Sequence, residues 1–136
     1  MSASELSELS GDECLWLLAS VTVGRGGLSI GALPVVLPVN FGLLDEDIIF
    51  RTVEGTKFHA AAAGAVVAFE ADSYEPDGTS GWSVVVQGRS TLVVDPSESG
   101  RVQKLKVEPW AVDGAADRVV RISTTVVSGR RLSRTQ

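Results

Sequence analysis

Gly81-Trp82-Ser83-Val84-Val85-Val86-Gln87-Gly88-Arg89-Ser90-Thr91-Leu92-Val93-Val94 reads as one long strand bent at Gly88. Valine and threonine favour extended chain, and a glycine inside a strand marks a bend or a close approach. Five more extended runs surround it. Upstream lie Val21 to Arg25, continuing through Gly26-Gly27 to Leu28-Ser29-Ile30, then Val35 to Phe41, Ile48 to Thr52 and the nearly all-apolar Ala65 to Asp72. Downstream lies Arg118 to Ser128. The first three runs are joined by short, hairpin-like connections, at Gly31-Ala32-Leu33-Pro34 and at Gly42 to Asp47. That part of the sheet is therefore antiparallel. Long strands bent by glycines favour a small closed or split barrel over a flat sheet. The expectation is a mainly β chain, a six-stranded antiparallel split β-barrel with short flanking helices.

The helices follow from their start signals. Ser10-Gly11-Asp12-Glu13 has the form of a capping box, with Leu9 and Cys14 placed as a hydrophobic staple, and the helix runs to about Ser20. A second, alanine-rich helix is expected from about Gly55 to Ala63, closing on Gly64. A third starts at Asp95-Pro96-Ser97-Glu98, with Asp95 as N-cap and Pro96 at the first helical position. Residues 1–9 are polar and serine-rich and read as a loose arm. Residues 10–132 form one domain, and 133–136 are a tail. Pro38 interrupts its strand and marks an edge or a bulge, where main-chain groups are open to a ligand.

Composition narrows the function. A chain of 136 residues with 44% hydrophobic and 21% charged residues is long enough to bury a core. A net charge of −5 argues against sequence-independent nucleic-acid binding, which needs a basic face. The local cluster Arg130, Arg131 and Arg134 suits a small anion equally well. No apolar run approaches the roughly 20 residues of a membrane span. The start, Met1-Ser2-Ala3-Ser4-Glu5, lacks the layout of a secretion signal, so a cytoplasmic protein is expected. The single cysteine, Cys14, excludes an intramolecular disulfide and reads as a packed small hydrophobe.

The chemistry concentrates at Ile48-Ile49-Phe50-Arg51-Thr52-Val53-Glu54-Gly55-Thr56-Lys57. A strand delivers Arg51 and Thr52 to the opening of a helix that carries Thr56 and Lys57. Unpaired N–H groups and the positive end of the dipole gather at such an opening, which is built for a phosphate. The plain alternative is a strand–helix junction whose cations face water. Two nucleotide motifs fail. Gly24-x-Gly26-x-x-Ser29 lacks its third glycine and opens no helix, and Glu54-Gly55-Thr56-Lys57 lacks the earlier glycine of a P-loop.

Six short motifs fall in one order: Glu13-Cys14-Leu15 with Leu17-Leu18; Val23-Gly24-Arg25; Pro34-x-x-x-Pro38-Val39-Asn40; Phe50-Arg51-Thr52-x-x-Gly55-Thr56-Lys57; Gly81-Trp82-Ser83-Val84-Val85-Val86-x-Gly88; and Ser128-Gly129-Arg130. Together they resemble the pyridoxamine 5′-phosphate oxidase-like, flavin-binding split-barrel proteins, in particular a small actinobacterial-type branch. The resemblance covers about residues 8–132. It implies a homodimer with FMN in two clefts between subunits. By position, Arg51, Thr52, Thr56 and Lys57 would hold the FMN phosphate, and Pro38, Val39 and Asn40 would lie along the isoalloxazine ring. Trp82 and Ser83 would reach the flavin from the other subunit, with Trp110 and Arg130 at the rim. The plain alternative for Trp82 and Trp110 is a core or interface aromatic.

The resemblance also has a gap. Enzymes that oxidise pyridoxamine phosphate carry an arginine and a histidine close together near the C-terminus, whereas this chain reads Ser128-Gly129-Arg130-Arg131-Leu132-Ser133. Its one histidine, His59, lies in the helix after the phosphate junction. Vitamin B6 oxidation is therefore not expected. What the resemblance implies is an FMN-dependent oxidoreductase acting on a small molecule, with no obvious general acid or base. The alternatives are a reductase using the deazaflavin F420 on the same fold and a flavin-binding or storage protein without turnover.

Overall fold

The computed structural model describes residues 3–53, 64–107 and 117–135. In chain order the elements are β1 (Ala3–Glu8), α1 (Gly11–Leu18), β2 (Val23–Ile30), β3 (Leu33–Leu44), β4 (Asp47–Val53), β5 (Val66–Tyr74), β6 (Gly81–Leu92), α2 (Pro96–Gln103), β7 (Asp117–Ile122) and β8 (Val126–Thr135). The helix expected over residues 55–63 and the stretch around Trp110 lie outside the described residues.

Every strand pairing is antiparallel. The strand order is β1-β8-β6-β5-β2-β3-β4-β7, and a further β6–β7 pairing closes β2 to β7 into a six-stranded barrel. The mainly β, six-stranded split barrel read from the sequence is the fold. The long strand β6 forks between two partners. Residues Gly81 to Gln87 pair with β8, and Ser90 to Leu92 pair with β7. The change of partner falls at Gly88, where the sequence predicts the bend.

Two expectations change. Within the stretch read as a loose arm, Ala3 to Glu8 pair along β8, with Ser4 opposite Arg134 and Glu8 opposite Arg130. The residues alternate along that strand, and Glu8 finds an arginine across the ladder. The tail is likewise part of structure, since Ser133 and Arg134 continue β8. The second change is that Arg118 to Ser128 is not one strand. It breaks between Ile122 and Val126 because the Asp47 carboxylate accepts from the Thr124 main-chain N–H at 3.2 Å. The Thr124 hydroxyl meanwhile donates to the Glu46 carbonyl at 3.1 Å. The chain is thereby turned away from β4, and β8 starts on the other half of β6.

The hairpins are tighter than expected. Gly31-Ala32 and Asp45-Glu46 are the two-residue turns, all four residues at positive φ, as a hairpin matched to strand twist requires. Gly42 lies within β3.

The barrel interior holds Phe41, Ile48, Phe50, Phe69, Ala71, Val84, Val86, Val120 and Ile122, all buried. Phe41 and Phe69 meet edge to face with ring centroids 4.7 Å apart. Gly24 is what lets Phe69 in, since a Cβ there would press into its ring. Helix α1 closes the inner face of β6 and β8 with Cys14, Leu17 and Leu18, each buried. Its capping box is formed as predicted, and burial raises the Cys14 thiol above its ordinary pKa. Helix α2 covers the outside of β4, where Val102 packs with Ile49 and Leu44. Arg121 anchors that arrangement, donating to Asp47 and to Glu98 at 2.8 Å each. No described helix is long and apolar enough to cross a membrane.

Candidate functional site

The split between β3 and β4 is the place where the barrel wall opens. Their ladder runs from Leu44↔Asp47 to Phe41↔Phe50 and stops. From there β3 continues back to Leu33 along β2 alone, and β4 continues to Val53 along β7 alone. Two edges therefore face each other. Asn40, Val39 and Pro38 form one lip; Arg51 and Thr52 form the other. No strand among the described residues pairs with the β3 edge over 33–40. On the side away from β2 the main-chain groups of Val36, Pro38 and Asn40 point outward, those of the alternate residues being turned to β2, and Pro38 has no N–H to offer.

Strand alternation sorts the side chains. Phe50 points into the barrel and is 1% exposed, so Arg51 stands on the opposite face, half-buried and with its Nε buried. Thr52 is half-buried at the end of the strand. Val39 is in the core, and its main chain is turned to β2 opposite Gly24. Pro38 and Asn40 stand on the outer face. Thr56, Lys57 and Trp110 lie outside the described residues.

The remaining predicted residues are elsewhere on the chain. Trp82 packs with the core of the single chain and is 7% exposed. Ser83 faces outward, opposite Arg130 on β8 and Asp72 on β5. Strand by strand, β3, β2, β5, β6 and β8 follow one another. At roughly 4.8 Å per strand, Ser83 is about 14 Å and Arg130 about 19 Å from the β3 lip. One chain thus sets Pro38 and Asn40 on one strand and Arg51 on the other beyond the end of the β3–β4 ladder, turns Thr52 to the opposite face of β4 from Arg51, and leaves Ser83 and Arg130 further along the sheet.

A second feature of the outer face was missed in the sequence. Arg25 on β2 places its Nη1 3.2 Å from Glu70 Oε1 and 3.4 Å from Asp72 Oδ2, both on β5. Burial, then a hydrogen bond and like charge from Asp72, push Glu70 up to about 7, with Arg25 pulling the other way. The signal was there: Glu70-Ala71-Asp72 puts two carboxylates two residues apart, hence on one face of a strand. The apolar appearance of the rest of β5 hid it. Arg25 is also the cross-strand partner of Pro38, so the cluster adjoins the β3 lip.

The donor set at the split suits a phosphate-bearing ring cofactor. A half-buried guanidinium stands across from an open strand edge able to hydrogen-bond the rim of a planar heterocycle.

A family model described as pyridoxamine 5′-phosphate oxidase matches residues 10–131. An uncharacterized protein of Mycobacterium tuberculosis, Rv0080, is 44% identical over 136 residues, covering 96% of this chain and 88% of the relative. Among solved structures, the FAD binding protein from Mycobacterium smegmatis is 35% identical, with a TM-score of 0.83 over 93% of this chain and 98% of that one. A FAD-binding protein from Mesorhizobium loti, at 23% identity and a TM-score of 0.70 over 96% of this chain and 99% of that one, shares the fold.

Proposed function

Because the chain belongs to the pyridoxamine 5′-phosphate oxidase family, we propose that it binds a flavin at the β3–β4 split. In this reading it is a homodimer and an oxidoreductase of small molecules. The observation that carries the reading is the pair of facing lips, Arg51 and Thr52 against Pro38 to Asn40, at the point where the β3–β4 ladder stops. FMN is the first cofactor proposed, since its single phosphate matches Arg51 with Thr52, Thr56 and Lys57.

The separation of Ser83 and Arg130 from the lips supports the dimer. Both stand on the outer face with Asn40 and Pro38, so a second copy laid against that face can bring its own Ser83 and Arg130 to the site. The face also leaves apolar side chains open beside its polar ones, with Val36 and Val66 each 67% and Val126 53% exposed. Gly27 and Ala68 make a furrow between Val36 and Val66, a shape that a two-fold axis can fit to itself.

The flavin, when bound, supplies the electron-transfer chemistry, and the protein supplies binding and electrostatics. Arg51 offers N–H donors to an anionic oxygen. The β3 edge would hold the ring through main-chain N–H and C=O groups, with Pro38 lending no N–H. A second reading, FAD in place of FMN, is favoured by the 35%-identical FAD binding protein of Mycobacterium smegmatis.

The test is the visible spectrum of the purified chain, followed by titration with FMN, FAD and F420. Flavin bands, or quenching on addition of FMN or FAD, uphold the site and rank the two. Quenching of F420 alone moves the assignment to a deazaflavin. Reduction of bound flavin by a nicotinamide donor distinguishes an oxidoreductase from a storage protein.

A further inference from the structure

The cluster Arg25, Glu70 and Asp72 takes no part in the flavin reading, yet it sits in the middle of the outer face. Along its row of the sheet stand Pro38, Arg25, Glu70, Val85 and Ser128. Asp72 is on the next row. The cluster is held in a shallow groove of about 290 Å³ whose remaining walls are Gly27, Val36, Ala68 and Phe69. Glu70 and Asp72 retain only 32% and 24% side-chain exposure in the single chain. Anything laid on this face removes that remaining water.

We propose that Glu70, with Asp72 and Arg25, makes the association of two copies through this face dependent on a proton, the pair closing with Glu70 protonated and loosening when it ionises. The inference rests on the two-copy reading above and adds its control. The charge count gives the direction. With Glu70 protonated, Asp72 and Arg25 cancel, and a neutral acid can be buried at modest cost. With Glu70 ionised, the Arg25–Glu70–Asp72 cluster of each copy carries one net negative charge, and a two-fold axis brings two such clusters onto one interface.

Few other charges interfere. From β2 the carboxyl meets Arg25, and along β5 it meets Asp72. Across the ladder on β6 it meets Val85, with Ser83 beside it, and beyond Pro38 there is no ionisable group on β3. Arg130 is the next charge, one strand further, opposite Ser83. In the single chain Glu70 is already displaced to about 7, so the transition falls in the neutral range. The sign follows. A group whose value rises further on association takes up a proton as the copies meet, so association strengthens as pH falls through neutrality and weakens above it.

The experiment is sedimentation equilibrium of the full chain at about pH 6 and about pH 8.5, with Glu70→Gln and Asp72→Asn alongside. The expected result is a dimer whose Kd is about tenfold or more tighter at the lower pH, since each proton taken up contributes up to about tenfold per pH unit above the titration. Glu70→Gln keeps the shape of a protonated acid and is expected to be tight at both pH values. Asp72→Asn removes the like charge and is expected to move the transition to lower pH. A dimer with the same Kd at both pH values overturns the proposal while leaving the two-copy site in place. So does a pH dependence that survives in Glu70→Gln. A monomer at every pH and concentration overturns this proposal and the two-copy site together, whereas flavin titration of that monomer reports on the split independently.

Discussion

The carbonyl of Ser123 fills the space that a side chain at Gly88 would need: a Cβ there would overlap its oxygen and lie 2.8 Å from its carbon. The contact is the crotch of the fork. The Ser123 N–H donates to the Arg89 carbonyl at 3.1 Å, fastening the β7–β8 connection to β6 at the residue after Gly88. After this point β6 closes the barrel against β7; before it, β6 keeps β5 on one edge and takes β8, with β1 beyond, on the other.

Gly88→Ala is therefore expected to destabilise the chain by about 3 kcal/mol or more, because the obstruction is main chain and cannot rotate away. Chemical denaturation checks it. Ser123→Gly in the same chain should not rescue the variant, since the clash is with the carbonyl and not with the hydroxyl. Rescue would mean that the side chains, not the fork, set the requirement.

Arg121 ties α2 to the barrel through Asp47 and Glu98 and is 22% exposed. Removing it leaves two carboxylates facing each other with little water. Arg121→Ala is expected to cost about 2 kcal/mol, and Arg121→Lys to recover only part, because one ammonium cannot span both acids as the planar fork does. Thermal unfolding of the three chains gives the order. A lysine variant as stable as the parent would show that charge alone is enough.

The capping box gives an acid-side prediction. The Ser10 N–H donates to Glu13 Oε1 at 3.1 Å, and the Glu13 N–H donates to Ser10 Oγ at 3.2 Å. Main-chain and side-chain hydrogen bonds to Ser10 hold the Glu13 carboxyl below its ordinary value of 4.5. A depressed value contributes stability that is present above the ordinary range and lost as pH falls through the folded-state value. Glu13→Gln should thus flatten the acid limb of the melting curve below about pH 4.5, and Ser10→Ala should lower Tm by a few degrees at neutral pH. Unchanged acid sensitivity in Glu13→Gln would place the acid-labile contacts elsewhere.

At the proposed site, Arg51→Gln and Lys57→Ala are each expected to weaken FMN binding about 10- to 100-fold, the loss of one or two charge-assisted hydrogen bonds to a phosphate. Circular dichroism should show the β-sheet signal retained. Riboflavin, which lacks the phosphate, serves as control: its affinity should hardly move. An equal loss for riboflavin would mean that the residues support the ring or the fold instead.

Much of this architecture was legible from local pattern. The Val-rich runs, the two-residue spacing between inward residues and the glycine inside the longest strand specify a bent antiparallel barrel. Ser10 and Glu13, and Asp95 and Pro96, announce their helices because a cap is an interaction between near neighbours. Arg51 and Pro38 were visible as candidates for the same reason, one as a cation closing an apolar strand, the other as a break in a ladder.

What the local pattern did not carry was partnership at a distance. Whether Ala3 to Glu8 hangs free or lies along β8 depends on where Arg130 and Arg134 end up, more than 100 residues later. The break between β7 and β8 depends on Asp47 reaching Thr124. Arg25 meets Glu70 and Asp72 only after β2 and β5 have paired, and that meeting gives an exposed-looking carboxyl its near-neutral titration. The sequence by itself determined most of the strands and their alternation, because those follow from steric and solvation preferences of each residue and its neighbours. Only the tertiary structure decided which edges stayed open and which charges share a face, because those follow from register, and register exists only once the sheet has closed.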